Sequence, residues 1–259
     1  MARTLVVTGA ASGIGLATAQ LLQEQGHTVI RVDREEGDVT GDLGSPEATT
    51  VVHDVARLSG GTVDGLVANA GVSSPTDLAL RINYFGTVQL IEELRPLLAA
   101  SEAPRVSVTS SGATLQPTDH ELVDLLLAGD REAALARGAA LAEEGPQAGY
   151  ANYSASKRAV SRWVRRACVR EEYAGAGIGL NAVAPGQVRT GMTRELFATE
   201  AGRRQAAEAM PTPYNGVAEA EHIAAVHAFL VSAENSRMTG QVLFVDGGFD
   251  AQSRGDDIW

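Results

Sequence analysis

One lysine occurs in the 259-residue chain, Lys157, and it stands four residues after Tyr153 in the run Tyr153-Ser154-Ala155-Ser156-Lys157. Every other basic side chain, the termini aside, is arginine or histidine. Codon bias accounts for an excess of arginine, but not for the one position that stays lysine. An ammonium is a compact point charge with three rotatable donors, whereas a guanidinium is a rigid planar fork. A site that keeps lysine in such a chain is one where the fork does not fit. Residues i and i+4 of a helix share a face, so the Lys157 ammonium can sit beside the Tyr153 phenol. A positive charge there favours phenolate and draws a tyrosine pKa down from about 10. Tyr153 is thereby a candidate acid/base near neutral pH. Tyr150 has no such partner, because Ser154 stands four residues on. An isolated Tyr-x-x-x-Lys is a weak pattern, so its companions carry the decision.

The strongest companion lies at the other end of the chain. The apolar run Thr4-Leu5-Val6-Val7 leads into Thr8-Gly9-Ala10-Ala11-Ser12-Gly13-Ile14-Gly15, and a helical pattern follows. Glycines between a strand and a helix let the backbone approach a pyrophosphate, and the helix N-terminus offers amide hydrogens and partial positive charge. The spacing is GxxxGxG rather than GxGxxG, and its context of strand, glycines and helix makes it a candidate dinucleotide site. Asp33 ends the second strand pattern, 18 residues beyond Gly15. A carboxylate there accepts from both adenosine ribose hydroxyls and repels a 2′-phosphate, which favours NAD over NADP. Arg34 next to it is a guanidinium that can hold a phosphate, while Ser12 in the turn adds no basic charge.

These residues need a frame. Strand patterns occupy 4–8, 28–32, 65–68, 106–109, 178–183 and 241–245, and helical patterns occupy about 14–25, 46–58, 78–99, 151–174 and 219–232. Strand and helix in alternation predict α/β architecture, a doubly wound parallel sheet covered on both faces. There is no repeat and no linker-like stretch, so a single domain over 1–259 is expected. Between Asp33 and Asp42 the chain is too short for a crossover with its own helix, which predicts a loop feeding a short strand near Val39. From about 115 to 148 an Ala/Leu/Glu-rich stretch broken at Gly129-Asp130 and Gly145-Pro146 reads as a helical insertion. Its two helices are placed at 119–128 and 131–144, with apolar stripes that must pack on the body, a second subunit or substrate.

Composition narrows the function classes. A net charge of −11 argues against a nucleic-acid partner. No stretch of about 18 apolar residues exists to cross a membrane, and no leader pattern precedes the first strand, so a cytoplasmic location is expected. The single cysteine, Cys168, forms no internal disulfide and falls in an arginine-rich helical stretch. Five histidines (His27, His53, His120, His222 and His227) lack metal-ligand spacing, and no metal is expected.

Taken together, Thr8 to Gly15, Asp42-Leu43, Asn69-Ala70-Gly71, Asn83, Ser110, Tyr153-x-x-x-Lys157 and Pro185-Gly186-Gln187-Val188-Arg189-Thr190 resemble, in order, the motifs of the short-chain dehydrogenase/reductase family. The resemblance extends over nearly the whole chain, to Val245-Asp246-Gly247-Gly248. It implies a catalytic set of Asn83, Ser110, Tyr153 and Lys157. Tyr153 would be the acid in carbonyl reduction and the base in alcohol oxidation. Lys157 would lower its pKa and hold the nicotinamide ribose. Ser110 would donate to the substrate oxygen, and Asn83 would hold a relay water beside the lysine. Ser111 competes with Ser110, but Val106, Val108 and Ser110 share one strand face and the family register also favours Ser110.

For the cofactor, NAD, the resemblance implies Gly9, Ser12, Gly13, Ile14 and Gly15 at the pyrophosphate, with Asp33 at the ribose. Asp42 and Leu43 would border the adenine, and Asn69, Ala70 and Gly71 would allow close backbone approach. Pro185, Gly186, Val188 and Thr190 would lie at the carboxamide, and Tyr153 and Lys157 at the nicotinamide ribose. Ala68 stands where the family often has asparagine.

The 43-residue step from Ser110 to Tyr153 and the short Asp33–Asp42 connection resemble the bacterial 3α-hydroxysteroid dehydrogenase/carbonyl reductase branch. In that branch the insertion alters subunit packing, which implies a homodimer here, with a homotetramer as the alternative. Met192, Leu196, Phe197, Met210 and Pro211, in a substrate segment of about 188–215, either roof an apolar pocket or pack on the body. The reading is an NAD-dependent oxidoreductase that interconverts a secondary alcohol and a ketone on a small apolar cyclic substrate, such as a hydroxysteroid. Its alternatives are a dehydrogenase of a ring dihydrodiol or other small cyclic alcohol, and a non-catalytic dinucleotide-binding regulatory protein.

Overall fold

The computed structural model describes residues 2–45 and 48–256. Strand β1 (Thr4–Thr8) is a β-branched, apolar run buried along almost its whole length, as expected of a central strand covered on both faces. Helix α1 (Gly13–Glu24) follows it and stops at Gly26, whose φ of +84° is left-handed. β2 (Thr28–Asp33) returns beside β1, and β3 (Val39–Thr40) pairs parallel with β2. Only five residues join β2 to β3. The turn closes because the Asp38 carboxylate accepts from the Arg31 amide at 2.8 Å while the Asp38 amide donates to the Arg31 carbonyl. Gly37 passes so close to that carbonyl that a Cβ would lie 2.7 Å from it.

Helix α2 (Ala48–Leu58) and strand β4 (Gly65–Ala68) come next; positions 46 and 47 of the expected helix lie outside the described residues. The expected helix over 78–99 is one rod in three windings: α3 (Leu78–Leu80), a π-helical segment (Arg81–Gly86) and α4 (Thr87–Ala99). Strand β5 (Arg105–Thr109) leads through a 3₁₀ turn at Gly112–Leu115 into the insertion. Its helices are α5 (His120–Ala128), α6 (Arg131–Glu143) and an unanticipated short α7 (Pro146–Gly149). Asp119 and Asp130 cap α5 and α6 by accepting from the Leu122 and Ala133 amides.

Helix α8 (Ala151–Ala167) carries Tyr153 and Lys157 and ends earlier than the expected 174, with a separate π turn at Glu171–Gly175. Cys168 is its buried C-cap. After β6 (Gly179–Pro185) the chain forms a small β7 (Val188–Arg189) and helices α9 (Arg194–Ala198) and α10 (Glu200–Ala209). It closes with β8 (Ala218–Glu219), α11 (Ala220–Leu230), β9 (Val242–Val245) and α12 (Phe249–Arg254). The pairing of β7 with β8 outside the main sheet was not expected from the sequence.

The main sheet has seven parallel strands in the order β3-β2-β1-β4-β5-β6-β9. Alternate residues of each strand serve opposite layers: Leu5 and Val7 pack with Leu22 of α1 and Ala228 of α11, whereas Val6, Val106 and Val108 pack with Leu94 of α4 and Val160 of α8. The architecture is a doubly wound Rossmann-type fold. Strand order reverses between β1 and β4, which opens a crevice beyond the carboxyl ends of these strands, where such sheets bind ligands. The insertion packs on its own chain: Leu122, Val123 and Leu126 of α5 are fully buried in the same apolar cluster as Val160 and Trp163 of α8.

Candidate active site

A groove of about 600 Å³ runs along that crevice. At one end lie Gly9, Ser12, Gly13 and Ile14. Gly9 and Gly13 take φ of +67° and +54°, which favours glycine over residues with a Cβ. A Cβ on Gly15 would lie 2.0 Å from the Gly9 carbonyl oxygen, so Gly15 permits the turn from behind and does not itself line the groove. Ser12 is the N-cap of α1 but its side chain makes no capping bond. The first amides of the helix are thereby left to an anion. Along the wall, Asp33 accepts from the Ala11 amide at 3.0 Å and from the Glu35 amide at 3.3 Å. Arg34, next to it, pairs with Glu35 at 2.6 Å. Asp42 and Leu43 border the same end, and Asn69, Ala70 and Gly71 form the floor. Pro185, Gly186, Val188 and Thr190 close the other side, with the Thr190 side chain reaching over Gly13. Glycines without room for a Cβ, an open helix N-terminus and a carboxylate beside the glycine turn fit a dinucleotide.

Tyr153 and Lys157 line the opposite end of the groove. The Lys157 ammonium donates to the Thr109 carbonyl at 2.8 Å, and burial brings its pKa down to about 8. The Tyr153 phenol does not sit low as the sequence suggested. Burial pushes its pKa up, and a hydrogen bond with Ser111 pulls in the other direction.

Ser110 and Ser111 part company here. Ser110 lies on the face of Val106 and Val108, as expected, but that face is turned into α8. Its hydroxyl is 2.6 Å from the Ser161 hydroxyl and donates to the Lys157 carbonyl at 3.2 Å. Ser111 is one residue further, past the strand end, and its side chain faces Tyr153 while accepting from the Ala113 amide. Both serines line the groove, and Ser111 is the one whose side chain meets the phenol, so the geometry favours Ser111 over the expected Ser110 as donor to a substrate oxygen. Strand alternation identified the shared face correctly and left open which layer that face meets.

Asn83 sits in the π segment, buried and off the groove wall. Its amide clasps Val72, accepting from the amide at 2.8 Å and donating to the carbonyl at 2.9 Å, and donates to Ser156 at 3.1 Å. Both amide hydrogens are used, so one Oδ1 lone pair is what the side chain retains for a water. A Cβ on Gly71 would lie 2.9 Å from that Oδ1 and 3.3 Å from the Lys157 ammonium, so the two side chains flank the same glycine.

The apolar side chains expected to roof the site divide. Met192 lines the groove and is exposed, and the Met210 sulfur end covers Gly112 next to Ser111. Phe197 instead lies under the Arg189 guanidinium. His222 caps α11, and His227 is buried on the other side of that helix.

Comparison with known proteins agrees with the geometry. A short chain dehydrogenase profile matches residues 3–123 and an Enoyl-(Acyl carrier protein) reductase profile matches residues 123–250. The 3-alpha-hydroxysteroid dehydrogenase/carbonyl reductase of Comamonas testosteroni is 32% identical over 256 residues, 96% of this chain and 97% of that one. The cis-4-hydroxycyclohexanecarboxylate dehydrogenase of Sinomonas cyclohexanicum is also 32% identical, over 96% of this chain and 97% of its own length. The crystal structure of a 3-alpha-hydroxysteroid dehydrogenase from Pseudomonas sp. B-0831, complexed with NADH, superposes with a TM-score of 0.87 at 36% identity, covering 98% of this chain and 100% of that one. Sequence, sheet order and the meeting of Tyr153, Lys157 and Ser111 thus converge: the chain belongs to the short-chain dehydrogenase/reductase family and is an oxidoreductase acting on alcohol groups.

Proposed function

We propose that this protein is an NAD-preferring dehydrogenase/reductase that interconverts a secondary alcohol and a ketone on an apolar, cyclic substrate. The observation that carries the reading is that Ser111, Tyr153 and Lys157 line one groove, with the Ser111 side chain beside the phenol. The two hydroxyls hold a substrate oxygen between them. Ser111 donates to it as negative charge develops, and Tyr153 gives it a proton in reduction or takes one in oxidation. Lys157, anchored on the Thr109 carbonyl, holds the nicotinamide ribose. A bound nicotinamide supplies or accepts the hydride at the substrate carbon. Asn83 sets the Val72 backbone and the Lys157 surroundings.

The preference for NAD rests on Asp33 and its neighbours. Its carboxylate is held by two backbone amides toward the groove, where it accepts from ribose hydroxyls and repels a 2′-phosphate. Glu35 and Glu36 line the same end, and Arg34 is paired with Glu35. The substrate class is supported by Met192 on the groove wall, by Met210 over Gly112 next to Ser111, and by relatives whose names specify ring alcohols. The dimer expected from the insertion is also part of this reading, because α5 covers the outer side of α8.

Initial rates with a panel of hydroxysteroids, substituted cyclohexanols and acyclic secondary alcohols, each with NAD and NADP, test it. The expected outcome is turnover of ring alcohols with kcat/KM at least about tenfold higher for NAD, a difference of about 1.4 kcal/mol. Equal or better use of NADP overturns the role of Asp33, and turnover of acyclic alcohols alone overturns the ring substrate.

A further inference from the structure

His227 lies on α11 with no exposed surface, in the layer between that helix and the sheet, among apolar neighbours such as Ile223, Ala224 and Leu230. An imidazole in such a layer is costly unless both ring nitrogens are satisfied. Ser107 and Thr109, two apart on β5 and so on one face of the sheet, satisfy them. The Ser107 hydroxyl is 2.7 Å from Nδ1 and the Thr109 hydroxyl is 3.1 Å from Nε2.

The directions of these bonds can be assigned. Thr109 donates its hydroxyl hydrogen to Asn69 Oδ1 at 3.0 Å, so toward His227 it can only accept. Nε2 therefore carries the hydrogen, and Nδ1 accepts from Ser107. Burial takes the imidazole pKa down to about 3, which keeps the ring neutral near pH 7. Beyond Thr109 the chain continues without ambiguity. Asn69 Nδ2 donates to the Thr8 carbonyl at 3.2 Å, while the Asn69 and Ala70 amides donate to the Thr8 hydroxyl. That same Nδ2 lies under the glycine turn: Cβ atoms built on Gly9 and Gly15 would approach it to 3.0 and 2.6 Å. Thr109 has a second role, since its carbonyl accepts the Lys157 ammonium.

We propose that His227 is a positioning residue for dinucleotide binding: its Nε2–H fixes the Thr109 hydroxyl, which fixes the orientation of the Asn69 amide beneath the glycine turn. An apolar side chain at 227 fills the space but leaves Thr109 free to rotate. The Thr109 hydroxyl is then no longer held in the orientation that donates to Asn69 Oδ1, and the Thr8 carbonyl alone continues to orient the Asn69 amide. The inference rests on the groove being a dinucleotide site.

NADH titration by fluorescence of wild type, His227→Leu, His227→Gln, Thr109→Val and the core control Leu230→Ala tests the inference, with Tm measured for each. His227→Leu and Thr109→Val are expected to raise the NADH Kd about tenfold, equivalent to about 1.4 kcal/mol. His227→Gln, whose amide can still donate to Thr109, is expected to recover to within about threefold of wild type. Leu230→Ala is expected to lower Tm with the Kd unchanged. Wild-type affinity in His227→Leu overturns the inference, as does a loss of affinity in Leu230→Ala that scales with its Tm. Thr109→Val keeps the question decidable if His227→Leu does not fold. A wild type that binds neither NADH nor NADPH overturns the reading of the groove, and the inference with it.

Discussion

Ser110 and Ser111 differ by one position and by everything their hydroxyls touch. Ser110 is tied to Ser161 inside the α8 layer, whereas Ser111 meets Tyr153. Ser111→Ala is expected to lower kcat by about 10²–10³, the range for loss of one donor to a developing oxyanion. Ser110→Ala should leave kcat near that of wild type and lower Tm through the lost buried bond. The reverse order in steady-state rates would return the donor role to Ser110. Lys157 offers a direct reading of its own ionisation. It is the only lysine, so protein labelled with ¹³Cε-lysine gives one side-chain resonance. In the free enzyme its midpoint is expected near pH 8, not near 10.5. The sign follows from burial: the folded state disfavours the ammonium, a cost absent above pH 10.5 and fully present below about 8. This contribution to stability therefore falls as pH falls through that window. A midpoint at 10 or above contradicts the buried placement.

At the scale of elements, the glycine turn, Asp33 and the Tyr153–Lys157 helix were legible because each depends on a short local pattern. A strand, glycines and a helix N-terminus make the turn, and helical spacing puts Tyr153 and Lys157 on one face. The choice between the two serines depended on which helix layer lies against each face of β5, and no local pattern contains that. The rod over 78–99 reads as one helix by apolar periodicity, but its π segment depends on contacts from outside. A Cβ on Gly86 would lie 2.2 Å from the Leu43 carbonyl, and Asn83 is drawn onto Val72. The insertion was legible as helices through its Ala/Leu/Glu-rich composition, its breaks at Gly129-Asp130 and Gly145-Pro146 and its apolar stripes. Its docking on α8 was one of several surfaces those stripes could cover.

For the whole molecule, the sheet leaves two edges, β3 and β9. β3 is two residues long. β9 has four half-buried residues, and Phe229 of α11 is 45% exposed. An uncovered sheet edge invites pairing, and the dimer proposed above is expected to use the β9 edge rather than α8, which α5 covers. Size-exclusion chromatography with light scattering is expected to show a dimer for the wild type and a shift toward monomer for Phe229→Asp. A tetramer, or a dimer indifferent to that substitution, would place the interface elsewhere.

Residue order alone determined the alternation of strands and helices, the glycine turn, the acid at the end of β2 and the placing of a phenol and the chain's single ammonium four residues apart on one helix. All of these are set by neighbours within a few turns of chain. Tertiary structure decided which serine faces the phenol, and that the phenol's pKa is raised by burial, not lowered by Lys157. It also decided that the Asn83 amide is committed to Val72, and that a histidine 118 residues from Thr109 braces the floor of the turn. The reason is common to these cases: each depends on which layer a strand face meets and how much water is excluded there, and both are properties of packed elements.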